Sequence, residues 1–291
     1  MKISVVTPSF NQLEFLKRNV DSVKAQLSPE AQRSEVKDQK SAQSSVLCPL
    51  TSDFQVEHLI MDGGSTDGSA KWLAANAENL STDNYQLSFV SEKDEGQTDA
   101  INKGLRKATG EIIGWLNSDD IYFPRAFEKI IRAFEQRPEA DVIYGNGVWV
   151  DENDEIIWLR RNAPYHFKTW LYGMADAFQP ETFYRSRVLE KGGYLDKTFF
   201  MMMDREWWTR LAVSGCKFIY VNDEFAALRR YEDTKSAQFQ DRNDEERKRL
   251  HDKYWVGFRF KNPRLQHLHW KCLHVFYLAL RRVRIFIDRI K

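Results

Sequence analysis

The chain has 291 residues, 42% hydrophobic and 29% charged, enough to bury a sizeable core. Its 43 Lys and Arg nearly balance 42 Asp and Glu, so no global field draws in nucleic acid and any charged partner must be met by a local cluster. Three scattered cysteines (Cys48, Cys216, Cys272) and six histidines supply neither a disulfide framework nor zinc-site spacing, which makes a reducing cytoplasm the expected location.

The opening MKISVVTPSF lacks the apolar stretch of a secretory leader and enters a strand at once. KISVVT (2–7) is β-rich, and from about residue 12 the apolar positions Leu13, Leu16, Val20, Val23 and Leu27 recur at helical spacing. VEHLIMD (56–62) reads as a buried strand, GSAKWLAANAENL (68–80) as a helix and YQLSFVSE (85–92) as a third strand. Residues 97–109 repeat the helical pattern through Ile101, Leu105 and Ala108, and EIIGWLN (111–117) is a fourth strand. Such alternation predicts a mostly parallel sheet with right-handed crossovers.

Residues 28–54 are polar and rich in Ser and Gln, and read as an inserted loop. Past residue 140 the chain predicts a hairpin around Glu152–Asp154, a helix over 204–215, and strands at CKFIYV and EFAALRRY. We expect one α/β domain over 1–250 and a basic amphipathic helical tail over 251–291. In that tail Leu265, Leu268, Cys272, Phe276, Ala279, Val283, Phe286 and Ile290 follow steps of three and four. Arg281, Arg282, Arg284, Arg289 and Lys291 accompany the single Asp288. Such a helix suits the surface of an anionic membrane, its own domain or a second subunit. Its longest charge-free run, CLHVFYLAL (272–280), is short of the roughly 20 residues that span a bilayer.

In an open α/β sheet, ligands collect at the carboxyl ends of the strands. Here those ends read Thr7-Pro-Ser-Phe-Asn, Asp62-Gly-Gly-Ser, Ser91-Glu-Lys-Asp and Asn117-Ser-Asp-Asp. Magnesium usually takes one or two carboxylates plus substrate phosphates. Asp119 beside Asp120 suits that role, because a bound cation relieves their repulsion. The competing structural reading has Ser118 and Asp119 capping a helix that starts near Pro124.

The motifs VVTPSFNQLEFLKRNVDSV, LIMDGGSTDGS, SEKDEGQTDAINKGLRKATGEIIGWLNSDD and MMMDREWWTRLA occur in this order. Together they resemble glycosyltransferase family 2, inverting nucleotide-sugar enzymes of GT-A fold, over roughly residues 2–236. The resemblance implies a Rossmann-like, mostly parallel central sheet and a UDP-sugar or related donor. It also implies a Mg2+ or Mn2+ cofactor and a carbohydrate or lipid-linked hydroxyl acceptor, as in polysaccharide or glycolipid synthesis. It assigns nucleotide contacts to Thr7, Pro8, Ser9, Phe10 and Asn11, to Asp62 as acceptor for the base, and to Gly63, Gln97 and Ser118. Gly63 and Gly64 would allow close approach, and Gln97–Asn102 would line the pocket.

NSDD stands where the family carries Asp-any-Asp, so Asn117 replaces the first acid. Asn117 would bond a ribose or sugar hydroxyl, while Asp119 and Asp120 would hold the metal. Asp204 matches the general base, with Met203 in place of the neighbouring acid and Glu206 as a second candidate; Asp204 also suits a helix N-cap. Gln179 and Glu181, with Trp207 or Trp208 stacking on a sugar face, would meet the acceptor. Arg229, Arg230 and Lys235 would meet the diphosphate, and Tyr231 stands where many relatives have a His. Two other readings stay open. One is a non-catalytic nucleotide-sugar-binding protein, favoured by Asn117, Met203 and Tyr231. The other is a nucleotidyltransferase, disfavoured because TPSFNQ lacks glycine and a basic residue.

Overall fold

The computed structural model describes residues 1–28, 54–172, 179–231, 240–255 and 259–290. Of the expected inserted loop, therefore, only its two end residues lie within the described residues. The first strand, β1 (Lys2–Ser9), is buried along nearly its whole length, its small polar residues Ser4 and Thr7 included, as a strand covered on both faces must be. It pairs in parallel with β2 (Gln55–Asp62) and β4 (Ile112–Trp115), and β2 pairs in parallel with β3 (Tyr85–Ser91).

The helices α2 (Ser69–Leu80) and α3 (Gln97–Lys107) fall within two residues of the periodic patterns at both ends, while α1 (Leu13–Lys24) starts where expected and stops three residues short of Leu27. Leu16, Val20 and Val23 turn inward from α1, and Leu27 lies in a short 3-10 turn beyond its end. The sheet continues through β6 (Val142–Tyr144), β9 (Thr182–Arg185) and β10 (Phe218–Tyr220), in the order β10-β6-β9-β4-β1-β2-β3. Only β9 runs antiparallel to its neighbours.

A smaller sheet joins β5 (Ile121–Tyr122), β11 (Ala226–Arg229), β7 (Gly147–Val150) and β8 (Ile156–Arg160) in the order β5-β11-β7-β8. The expected hairpin at Glu152–Asp154 is the β7–β8 connection, with Asp154 in the left-handed region at φ 71°. β5 intervenes after Asp120, and α4 (Ala126–Gln136) has Arg125, not Ser118 or Asp119, at its N-cap. The capping reading of Ser118 and Asp119 is thus corrected.

Two short helices, α5 (Phe167–Tyr172) and α6 (Val188–Gly192), precede α7 (Met203–Val213). The helix Gln240–Tyr254 runs across residue 250 and buries Leu250 and His251. The last helix, Pro263–Ile290, packs on α5 through Trp270, Leu273, Tyr277 and Leu280. No helix among the described residues is long and apolar enough to cross a membrane.

Candidate active site

The carboxyl ends of β1 to β4 converge on a cavity of about 720 Å³. Pro8, Ser9, Phe10 and Gln12 line it at the end of β1, Gly63 after β2, and Lys93 and Asp94 after β3. Gly96, Gln97 and Ala100 come from the start of α3, and Trp115, Asn117, Ser118, Asp119 and Asp120 from the end of β4. Gln179, Phe200, Met201, Met203, Asp204, Leu228, Arg229 and Tyr231 complete the wall. The topology alone accounts for this convergence, since parallel neighbours end at one sheet edge.

The Asn117–Asp120 turn is closed by the Asp120 amide on the Asn117 carbonyl at 3.0 Å. The Asn19 side chain donates to the carbonyls of Asn117 and Asp120, at 2.8 and 3.0 Å. Asn117 itself is a hub. Its Oδ1 accepts from Gln97 Nε2 and Trp115 Nε1, each at 2.9 Å, and its Nδ2 donates to Asp120 Oδ2 at 3.2 Å and Gln179 Oε1 at 2.8 Å. A carboxamide makes about four such bonds in all. Asn117 thus lines the cavity with four bonds made inside the protein. Gln179 lines the cavity but is likewise engaged, by Asn117 and by the Trp115 carbonyl.

The two adjacent acids differ in role. Asp119 Oδ2 faces donors from Tyr231 Oη at 3.0 Å and Gln12 Nε2 at 3.4 Å, while Ser118 Oγ donates to Gln12 Oε1 at 2.5 Å. Asp120 turns inward, its Oδ1 accepting the Arg229 amide at 2.9 Å and its Oδ2 the Asn117 amide. Burial raises the pKa of both carboxyls, and Asp119 pushes Asp120 further up. Both oxygens of Asp120 are thus bonded inward, while Asp119 faces Tyr231 and Gln12.

Arg229 lines the cavity but is only 1% exposed. Its Nε donates to the Asp119 carbonyl at 2.8 Å, one terminal nitrogen to the Asp151 carbonyl at 2.7 Å and the other to Asp154, and its guanidinium lies over Phe15. Arg230 lies over Trp149. Lys235 lies outside the described residues.

On the nucleotide side, a Cβ on Gly63 would sit 2.8 Å from Asp94 Oδ2, and Gly64 adopts φ +82°. Both positions favour the glycines that the motif supplies. Asp62 is 2% exposed and its carboxylate accepts Ser91 Oγ at 2.6 Å, the Ser65 amide at 3.1 Å and Ser65 Oγ. Asp62 is absent from the main cavity wall.

Thr7 is fully buried, bonded to His58 Nε2 at 2.9 Å, and the other ring nitrogen of His58 meets Tyr85 Oη at 2.9 Å. Burial pushes the His58 pKa down to about 3, which keeps the ring neutral. Asn11 spends its side chain on the Thr66 amide at 2.8 Å. Neither Thr7 nor Asn11 is among the residues that line the cavity, and both support the strand ends.

Asp204 occupies the first turn of α7 and lines the cavity; the N-cap position is Met202. The segment that leads into α7 is held from another helix: Glu246 accepts the amides of Phe200, Met201 and Met202 at 2.8, 2.7 and 2.9 Å. Glu206 faces away, bonded to Arg210, Lys253 and Tyr254 at 3.2, 2.8 and 2.7 Å. Burial pushes its pKa up, but these partners hold it below the usual range.

Trp207 is core, its ring 4.6 Å from that of Tyr184, and Trp208 donates to Tyr184 Oη. Glu181 is fully buried, accepts the Phe225 amide at 2.6 Å and is raised by burial well above the usual carboxyl range. Glu206, Trp207, Trp208 and Glu181 are all removed from the acceptor side. Among the described residues, no group of three or more His, Cys, Asp or Glu could hold a metal ion.

The profile of glycosyl transferase family 2 matches residues 4–193, and the chain belongs to that family. An uncharacterized glycosyltransferase of Mycobacterium tuberculosis is 26% identical over 215 residues, covering 72% of this chain and 69% of that protein. Staphylococcus aureus TarS in complex with UDP-GlcNAc superposes with a TM-score of 0.62 at 16% identity, over 100% of this chain and 76% of the other. Mannosyltransferase PcManGT from Pyrobaculum calidifontis, in complex with GDP-Man and Mn2+, gives a TM-score of 0.58 at 17% identity, over 97% and 73%. A longer TarS chain is covered over 37% of its length. At these identities the structural likeness establishes the GT-A fold.

Gln12, Lys93, Asp94, Phe200 and Met201 join the site without having been assigned roles from sequence. Gln12, Lys93 and Asp94 stand at strand ends, so the strand-end rule reaches them. Glu246 carries no local signal.

Proposed function

We propose that the protein transfers a sugar, with inversion, from a nucleoside diphosphate sugar to a hydroxyl of a carbohydrate or lipid-linked acceptor, in the cytoplasm and towards polysaccharide or glycolipid synthesis. The observation that carries this reading is that Asp119 and Asp204 line one cavity at the carboxyl ends of the sheet. UDP is the first donor base to test, supported by the UDP-GlcNAc complex of TarS; the GDP-Man complex of PcManGT keeps guanine next.

In this reading Asp204 takes the proton of the acceptor hydroxyl as its oxygen bonds to the anomeric carbon, and the bond from that carbon to the diphosphate breaks, its electron pair leaving with the diphosphate. Pro8, Ser9, Phe10, Gly63 and Gln97 hold the nucleotide side, and Asp62 supports it from behind. Lys93 is the cavity cation that makes none of the ion pairs found among the described residues.

Four carboxylates, Asp94, Asp119, Asp120 and Asp204, line the cavity against Lys93 and the committed Arg229. A diphosphate entering that field needs a counter-cation. The donor set fits Mg2+ or Mn2+, which bind through one or two carboxylates together with phosphates. Asp119 would hold the ion, with Asp120 beside it, and the ion would neutralise charge on the leaving diphosphate. The Mn2+ of PcManGT supports this cofactor.

The test is calorimetric titration of UDP, with and without Mn2+, on wild type and Asp119→Ala. Metal-dependent binding that Asp119→Ala removes is the expected result. Absence of binding by UDP and GDP alike overturns the reading and leaves a non-catalytic scaffold.

A further inference from the structure

The last helix has two apolar rows, and the structure buries the one that the sequence pattern does not emphasise. The row facing the domain is Trp270, Leu273, Tyr277 and Leu280, packed on Leu171 and Tyr172 of α5. His274 bonds the Tyr172 carbonyl at 2.7 Å, and Arg284 bonds the Pro164 carbonyl at 3.1 Å. The outer row stays uncovered: Leu268, Val275, Phe276, Val283 and Phe286 are 57, 66, 59, 52 and 61% exposed. These are large exposures for one contiguous helical face, and isolated surface apolar residues do not account for it.

Charge decides what could cover this face. From Arg259 to Ile287 the chain carries seven Lys or Arg and no Asp or Glu. Arg264, Lys271 and Arg282 are exposed together with the outer apolar row. A second copy docking through the same face would bring two cationic patches together without an acid to pair them, because a two-fold interface joins one patch to itself. An anionic lipid surface answers both features at once. It takes the apolar row into the acyl boundary and pairs the cations with headgroups. The helix of 28 residues extends about 42 Å at 1.5 Å per residue, yet no described helix is apolar enough to span a bilayer. It is therefore suited to lie in the plane of the interface.

We infer that the outer face of the helix Pro263–Ile290 binds anionic membrane, with Leu268, Val275, Phe276, Val283 and Phe286 entering the lipid and Lys271 and Arg282 contacting headgroups. This deepens the acceptor side of the function proposed above and rests on that reading only for its purpose, since a surface-bound enzyme meets a lipid-linked acceptor directly.

The test is cosedimentation of the full chain with vesicles of phosphatidylcholine, alone or mixed with phosphatidylglycerol, at low and high salt. Wild type is expected to bind the anionic vesicles, at least about 10-fold more tightly than neutral ones, and to release as salt rises. Lys271→Gln with Arg282→Gln should weaken binding by about 25-fold, each cation contributing about 5-fold. Phe276→Ser with Phe286→Ser should abolish it without loss of folding, as both side chains are exposed. Failure to bind anionic vesicles overturns the inference. So does salt-independent binding to both vesicle types, or a wild-type dimer that Phe276→Ser with Phe286→Ser dissociates. UDP titration on the same samples reports the donor site separately, so loss of one activity is distinguishable from loss of the other.

Discussion

The phenol of Tyr231 donates to Oδ2 of Asp119 across 3.0 Å, and Gln12 Nε2 reaches both groups, at 2.7 Å from the phenol and 3.4 Å from the carboxylate. The carboxylate that faces the cavity is thus stabilised by neutral donors on Oδ2, and a cation that binds this oxygen competes with them. A hydrogen bond to a charged group is worth about 1.5–3 kcal/mol, part of which water returns when the bond is lost. Tyr231→Phe should therefore raise metal-dependent UDP affinity by about 3- to 10-fold. Calorimetry decides this; a fall in affinity would assign the phenol to the diphosphate instead.

Asn117 is an asparagine for a reason that its four bonds make plain. Its amide donates to Asp120 Oδ2 and Gln179 Oε1, and an aspartate there offers only acceptors. Asn117→Asp should lose about 2–4 kcal/mol of stability, from two orphaned acceptors and a third carboxylate beside two others. Urea unfolding measures the loss. Saturating Mn2+ should recover part of it, because a cation screens the added charge.

Glu246 holds the segment that leads into α7 through three backbone amides. Burial pushes its pKa up, but those amides and Arg242 hold it below the ordinary value. A depressed acid contributes stability that is complete above its unfolded pKa, about 4.3, and is lost as pH falls through the folded one. Glu246→Gln should cost about 2 kcal/mol at neutral pH. The gap from wild type should stay constant down to about pH 4.3 and close below it. Thermal melts across that range would show a flat difference if these bonds were unimportant.

Asp204→Asn should lower kcat by about 10²- to 10⁴-fold, the range for loss of a general base. UDP affinity should stay within about twofold, since no nucleotide contact is assigned to Asp204. Transfer near the wild-type rate, once a donor and acceptor are found, would remove Asp204 from the chemistry.

The strands and helices of the first 120 residues were legible because their signals are local. β-rich and buried apolar runs located β1, β2 and β3, and period-3.6 patterns located α1, α2 and α3, to within about three residues. The motif order carried the family, and strand alternation carried the edge where Ser9, Gly63, Asp94 and Asp119 meet. Nothing local announced the direction of β9, which runs antiparallel between β4 and β6, since strand direction depends on how distant segments pair.

Side-chain availability was the part that only the folded chain settled. Asn117 is consumed by Gln97 and Gln179, Arg229 by Asp119, Asp151 and Asp154, and Glu206 by Lys253 and Tyr254. Each of those pairings joins residues tens of positions apart, so a motif marks where a polar group stands but not whether a partner has already claimed it. The last helix shows the same division. Its sequence pattern emphasises the row through Leu268 and Phe276, whereas the row that packs on α5 is Trp270, Leu273, Tyr277 and Leu280, a choice that only the tertiary packing makes.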